Sequence, residues 1–298
     1  MQLPTTSETI KKHGLDAKKS LGQNFILDSN LTNKIARQAL EKLESLEGFE
    51  VLEIGGGPGG LTKSILKLNP KKLTVIEQDK RCISALEEIQ SFYPNQLEII
   101  QGDALKFDIA SFAKNISHGK QDASQIDESQ TLNKEISGKK IKIIANLPYN
   151  VATELLFKWL LKIENVDLMI LMFQKEVVER IVAKTNSRAF GRLAVMVNFF
   201  CTTKKLFDIS PSSFTPSPKV TSSLVMIKPR EKPIMDVDFK KLEKVVAGAF
   251  SQRRKMIKSS LRSMNSDSEE WLKRCGIDPN LRAEQLTLEQ FGDLAKGL

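Results

Sequence analysis

The sequence predicts an α/β fold, a mostly parallel sheet flanked by helices, followed by a small all-helical C-terminal domain. Three observations carry this. Between residues 50 and 173 short β-rich runs alternate with amphipathic stretches, the order that builds a parallel sheet with helices on both faces. A glycine cluster follows the first clear strand and opens a helix. Past Pro229–Pro233 no strand pattern recurs, and apolar residues return at helical spacing.

In chain order, the start MQLPTTSETIKKHG lacks the apolar core of a signal peptide. VLEI (51–54) reads as a buried strand and Leu61–Leu68 as the helix after the glycines. KLTVIE (72–77), LEIIQGD (97–103), KIKIIAN (140–146) and DLMILMF (167–173) read as further strands, the Met and Phe residues of the last as plain core. Helices fall between them at Cys82–Phe92 and Glu154–Leu161. Residues 111–139 are polar, Ser/Gln/Lys-rich and without sustained period. They read as a surface insertion with no catalytic role, in which short amphipathic pieces could be helical. Val246, Ala249, Phe250, Arg253, Ile257, Leu261 and Met264 mark one long helix, with shorter ones at Ser268–Cys275 and Leu288–Leu294. Two domains follow, 1–230 and 231–298.

Composition bounds the function. The 298 residues are 41% hydrophobic, enough for a full core. Cys82, Cys201 and Cys275 lie far apart, which argues against a disulfide framework or zinc site and fits a reducing cytoplasm. The longest apolar runs are too short to span a bilayer, so the chain is expected to be cytoplasmic, without membrane contact. No repeat or heptad points to an oligomer, and a monomer is expected. Lys+Arg outnumber Asp+Glu by 45 to 36, a net +9. Such a surplus attracts a polyanion, although it also serves solubility.

Gly55-Gly56-Gly57-Pro58-Gly59-Gly60 satisfies G-x-G-x-x-G at Gly55, Gly57 and Gly60, and Glu77 ends the next strand. Glycine lets the backbone approach an adenosine ligand closely, and a carboxylate at the second strand end accepts both ribose hydroxyls. The pattern alone fits NAD as well as S-adenosylmethionine. Pro58 favours the latter, because it removes an N–H that a pyrophosphate would use. Asp103, after the third strand, is placed to meet an adenine amino group.

Asn146-Leu147-Pro148-Tyr149 follows the fourth strand. An adenine amino nitrogen is a poor nucleophile because its lone pair is delocalised into the ring. Acceptors for its two N–H groups draw it towards a tetrahedral state, and the Asn146 side-chain oxygen and Leu147 carbonyl are candidates. Pro148 fixes the turn, and Tyr149 offers a face on which an extruded base stacks. Neither a metal nor histidine is needed. His13 and His118, the two histidines, lie outside every motif.

With these residues in place, the chain resembles the ribosomal RNA adenine dimethyltransferases, in particular the bacterial small-subunit, kasugamycin-resistance branch. The resemblance runs from about Lys18 to Leu286, through KKSLGQNFILD (18–28), EIGGGPGGLT (53–62), VIEQD (75–79), QGDA (101–104) and NLPYNV (146–151). It continues through QKEVVERIVA (174–183), FGRLAVM (190–196), FTPSPKVTSS (214–223), FSQRRKMIKSSL (250–261) and GIDPNLRAEQL (276–286). It implies a Rossmann-like class I methyltransferase domain with a small helical C-terminal domain. It implies S-adenosylmethionine held by Asn24, Ile26, Gly55, Gly57, Glu77, Asp103 and Asn146, and Tyr149 and Phe214 sandwiching a flipped adenine. The implied substrate is a pair of adjacent adenosines in the 3′-terminal stem-loop of 16S rRNA, each dimethylated in an assembling small subunit. Gly55-Gly56-Gly57-Pro58 stands where the family more often has Gly-Pro-Gly, and Phe190 where a Tyr is usual.

For RNA binding, Arg253, Arg254, Lys255, Lys258 and Arg262 form a cationic run, with Arg254, Lys258 and Arg262 sharing one face if the segment is one helix. Like charges so placed repel, which favours a phosphate partner over a solvated face. Arg192 and Lys219 flank the expected pocket. Lys11, Lys12, Lys18 and Lys19 make a second basic cluster on an arm expected to order only with cofactor or RNA. Three other readings compete: a resistance-type methyltransferase of large-subunit RNA, an assembly factor whose binding is separable from chemistry, and an NAD-dependent oxidoreductase.

Overall fold

The computed structural model describes residues 3–18, 22–118 and 141–298, which pack into two compact units. The first holds the described residues up to Met172 together with Ile209–Ser222, and the second holds Phe173–Asp208 and Ser223–Leu298. Of the polar insertion, residues 111–118 close a helix, and 119–139 lie outside the described residues, as does Lys19.

The first unit runs through α1 (Thr6–His13), β1 (Phe25–Ile26), α2 (Ser29–Arg37), β2 (Glu50–Ile54), α3 (Gly60–Leu66), β3 (Lys72–Glu77) and α4 (Lys80–Phe92). It continues with β4 (Leu97–Gln101), α5 (Ile109–His118), β5 (Ile141–Asn146), α6 (Ala152–Leu160) and β6 (Val166–Gln174). The strands lie in the order β4-β3-β2-β5-β6, and each neighbouring pair is parallel. All five residues of β2 are buried, as are Ile141–Ala145 of β5. Runs buried at every position, apolar but for Glu50, Glu53 and Lys142, mark strands covered on both faces. α4 buries Cys82, Ala85, Leu86 and Ile89, one stripe at helical spacing. The order reverses direction at β2, so the crevice beyond the carboxyl ends of β2 and β5 is the ligand position of such sheets.

The N-terminal arm is held by the protein's own side chains, contrary to expectation. Thr5 and Glu8 form a reciprocal capping box that starts α1. Lys12 and His13 each meet Glu88 at 2.7 Å, Lys63 Nζ donates to the Pro4 carbonyl, and Leu15 packs on Cys82 and Ala85. Lys12 is therefore engaged in an ion pair within the protein. Strand β8 (Phe214–Thr215) pairs antiparallel with β1, bringing Phe214 opposite Ile26.

The second unit contains α7 (Lys175–Ile181), α8 (Arg192–Phe200), all but one end residue of each of the adjacent strands β7 (Cys201–Ile209) and β9 (Ser222–Pro229), whose Ile209 and Ser222 belong to the first unit, then α9 (Phe239–Ala249), α10 (Ile257–Leu261), α11 (Ser268–Arg274) and α12 (Leu288–Lys296). Phe250 meets Phe291 at 5.8 Å and Phe190 at 6.2 Å between ring centres, and Phe200 stacks on Phe239 at 5.4 Å. These rings join α8, α9 and α12. Phe190 is buried within that cluster, where a hydroxyl would need a partner.

One helical expectation fails. The periodic stretch from Val246 to Met264 is two helices, with a 3-10 turn at Phe250–Gln252 and then Arg253–Met256 between them. The amides of Ile257 and Lys258 donate to the carbonyls of Leu281 and Pro279, so α10 starts on tertiary hydrogen bonds instead of continuing α9. Apolar spacing persists across the break because both helices bury the same kind of face. Arg254 precedes α10 and Arg262 follows its last residue, so Arg254, Lys258 and Arg262 do not share one helical face.

Candidate active site

A cleft of about 1100 Å³, measured with its open mouth, lies at the carboxyl ends of β2, β3, β4 and β5. Its lining includes Asn24, Ile26, Gly55, Gly57, Glu77, Asp103, Asn146, Leu147, Pro148 and Tyr149. Five sequence segments far apart in the chain therefore converge on one space. Phe214 is buried beside Ile26 but is not among the lining residues.

β2 ends in a turn that needs glycine. Gly57 has φ +53°, a left-handed conformation that L side chains rarely adopt, and its amide donates to Glu77 Oε2 at 2.8 Å. Gly59, at φ +79°, caps α3, and a Cβ there would sit 2.1 Å from Ile89 Cδ1. The turn thus packs onto α4 while leaving its upper face bare. The other Glu77 oxygen accepts from the Asp79 amide at 2.8 Å. Burial raises the Glu77 carboxyl above its ordinary value, and the two amide bonds oppose that shift. Each oxygen, fixed by one donor, keeps lone-pair capacity towards the cleft. Asp103 is oriented by the Leu105 amide at 2.9 Å. A bare glycine backbone between two oriented carboxylates fits a nucleoside carrying a ribose diol and an amino-substituted base.

The Asn146 amide nitrogen donates to the Asn24 carbonyl at 3.3 Å, which leaves its oxygen free to accept. Leu147 is buried, and the Pro148 carbonyl receives the amides of Val151 and Ala152, closing the turn into α6. Tyr149 is half-buried, and its hydroxyl lies 2.5 Å from Ser222 Oγ. Burial raises its phenol, which stays protonated.

Among lining residues that the motifs did not single out, Glu53 is the most unusual. It is buried in the middle of β2, neither carboxylate oxygen has a partner among the described residues, and burial pushes it up to about 8. An acid within the apolar run VLEI was the signal. Ser222 lay inside FTPSPKVTSS, but nothing in that motif pointed to Tyr149, 73 residues away.

The candidate RNA residues are scattered. Arg192 pairs with Glu243 at 2.7 Å. Arg253 donates to the carbonyls of Arg188 and Phe190 and lies 3.6 Å from Glu284, and Lys258 lies 3.4 Å from Glu269. Arg254, Lys255, Arg262 and Lys219 are exposed. Among the described residues there is no cluster of His, Cys, Asp and Glu able to hold a metal, and no helix long and apolar enough to cross a membrane.

A doubly wound parallel sheet with this nucleoside cleft at its switch point and Asn-Leu-Pro-Tyr beyond β5 defines an S-adenosylmethionine-dependent methyltransferase. The chain belongs, within that class, to the ribosomal RNA adenine dimethylase family, whose model matches residues 14–298. It is 45% identical over 299 residues to the ribosomal RNA small subunit methyltransferase A of Agrobacterium fabrum, covering 99% of this chain and 98% of that protein. The protein of the same name from Rhizobium etli is 46% identical over the same coverage. Among solved structures, a dimethyladenosine transferase from Plasmodium falciparum shares the fold with a TM-score of 0.69 at 24% identity, over 91% of this chain and 95% of that one. The 23S rRNA methyltransferase ErmE shares it with a TM-score of 0.62 at 21% identity, over 92% and 99%. Family membership removes the oxidoreductase reading of the glycine motif.

Proposed function

We propose that the chain dimethylates the exocyclic amino nitrogens of two adjacent adenosines in the 3′-terminal stem-loop of 16S rRNA, acting on the assembling small subunit. The observation that carries this reading is one cleft in which the nucleoside-type carboxylates Glu77 and Asp103 and the acceptor turn Asn146–Tyr149 face the same space. Near-full-length similarity to small-subunit methyltransferases supports the choice of subunit. Residues 1–230 carry the transfer and 231–298 engage the RNA, through the exposed Arg254, Lys255 and Arg262 and with Arg253 and Lys258 beside them. Lys219 and Arg192 add phosphate contacts. The protein works in the cytoplasm as a monomer.

In this mechanism Glu77 takes the ribose hydroxyls, Asp103 the adenine amino group of the cofactor, and Asn24, Ile26, Gly55 and Gly57 line the rest. Bound S-adenosylmethionine supplies a methyl group already activated on a sulfonium. Asn146 Oδ1 and the Leu147 carbonyl accept the two N–H groups of the target adenine and concentrate its lone pair on nitrogen. Tyr149 and Phe214 hold the extruded ring between them. Asn146 and Leu147 would hold the adenine nitrogen towards the methyl donor carried by Asn24, Gly55, Glu77 and Asp103, and the proton that this nitrogen gives up would pass to water. Positioning supplies the remaining rate.

The test is Asn146→Ala, with cofactor binding followed by calorimetry and transfer by label counting. Turnover at saturating cofactor is expected to fall by about two orders of magnitude or more, the weight of a missing transition-state hydrogen bond in a closed site. Wild-type turnover would remove Asn146 as the acceptor and the mechanism with it.

A further inference from the structure

We propose that Ser222 is a positioning residue for the transfer, holding the Tyr149 ring at the angle that receives the base. The inference rests on the stacking role given to Tyr149 above. Tyr149 leaves the rigid Pro148 turn into a segment whose next residue, Asn150, is exposed. Nothing in that local backbone fixes the ring, which has two rotatable bonds. Its hydroxyl, at the far end of the ring, meets Ser222 Oγ at 2.5 Å. Ser222 is wholly buried and is the first residue of β9, so its hydroxyl is held by a strand instead of a loop. The ring is thus anchored at both ends, by Pro148 at the backbone and by Ser222 at the hydroxyl.

Two consequences distinguish this arrangement from ordinary packing. The phenol oxygen is committed to Ser222, so the cleft is offered the ring face and not a hydroxyl. A base is then received by stacking, which is indifferent to its hydrogen-bonding edge, and selection for adenine is left to the acceptors at Asn146 and Leu147. Glu77 and Asp103 are oriented by other groups, the amides of Gly57, Asp79 and Leu105, so breaking the Tyr149–Ser222 bond acts on turnover and not on cofactor affinity.

The test is a double-mutant cycle of Ser222→Ala and Tyr149→Phe, with turnover measured on small subunits lacking the modification and cofactor affinity measured separately. Each single variant is expected to lose turnover by about 2- to 10-fold, the weight of one net hydrogen bond, with cofactor affinity unchanged. The double variant is expected to be no slower than either single one, because both remove the same bond. Losses that multiply in the double variant, or a Ser222→Ala enzyme at the wild-type rate, would overturn the proposal. Tyr149→Ala, run alongside, separates the two readings. If it is crippled while Ser222→Ala is unaffected, only the positioning role falls. If it turns over normally, the stacking reading falls and takes the positioning role with it.

Discussion

Glu53 sits in a strand whose residues are all buried, and its carboxyl oxygens and the neighbouring Thr62 Oγ1 lack hydrogen-bond partners among the described residues. Burial holds its proton to about pH 8, whereas the unfolded chain releases it near the ordinary value of 4.5. Between those two values the unfolded state ionises and the folded state does not, so this group makes the ligand-free protein less stable as pH rises from about 4.5 to about 8. Below and above that window its contribution is flat. In Glu53→Gln the dependence should vanish, so denaturation midpoints of the two proteins should diverge in favour of the variant across the window, and parallel curves would contradict this. At Tyr149 the stacking role predicts that Tyr149→Ala loses about 1–3 kcal/mol of transition-state binding, roughly 5- to 150-fold in turnover, at unchanged cofactor affinity. Single-turnover rates and calorimetry check the two halves. Residues of this kind were legible in the sequence where they form a contiguous motif, as Asn146–Tyr149 and Gly55–Gly60 do. Ser222 was not, because its meaning comes from a partner that only the folded chain brings near.

The five parallel strands of the first unit were readable because each is a nearly unbroken apolar run with a turn signal after it. β7 was not, since CTTKKLFDI is mostly half-exposed and its lysines mask any alternation. The α9–α10 break was hidden for a different reason: the apolar spacing is continuous, and the interruption comes from the Pro279 and Leu281 carbonyls taking amides that a helix would use. The start of α1 was written in Thr5-x-x-Glu8, but no apolar period accompanied that capping box. β5 itself holds a buried charge. Lys142 is buried near its start, 2.7 Å from Asp167 and 3.8 Å from Glu41, with its ammonium 4.5 Å from the centre of the Phe49 ring. Lys142→Ala removes packing and leaves Asp167 without this partner. We expect a loss of about 2 kcal/mol, below the usual 3–5 because Asp167 is 29% exposed. Urea unfolding measures it, and a change under about 0.5 kcal/mol would show the pair to be idle.

For the whole molecule, the excess of 45 basic over 36 acidic residues is the widest-ranging feature of the chain. Part of it is consumed internally, as at Arg192, Arg253, Lys142 and Lys12. The exposed remainder includes Arg254, Lys255 and Arg262 in the second unit. Arg254→Glu with Arg262→Glu should weaken RNA binding and reduce the slope of log affinity against log salt by about one for each phosphate no longer neutralised. An unchanged slope would return these side chains to a solubility role. The central claim is the reaction itself, and it is tested most directly by following labelled methyl groups from S-adenosylmethionine into small subunits, large subunits, naked rRNA and DNA, each lacking the modification. The account predicts label recovered as N6,N6-dimethyladenosine from small subunits and not from large subunits or DNA. Label in large-subunit RNA, or none in small subunits while the cofactor is bound, would contradict it.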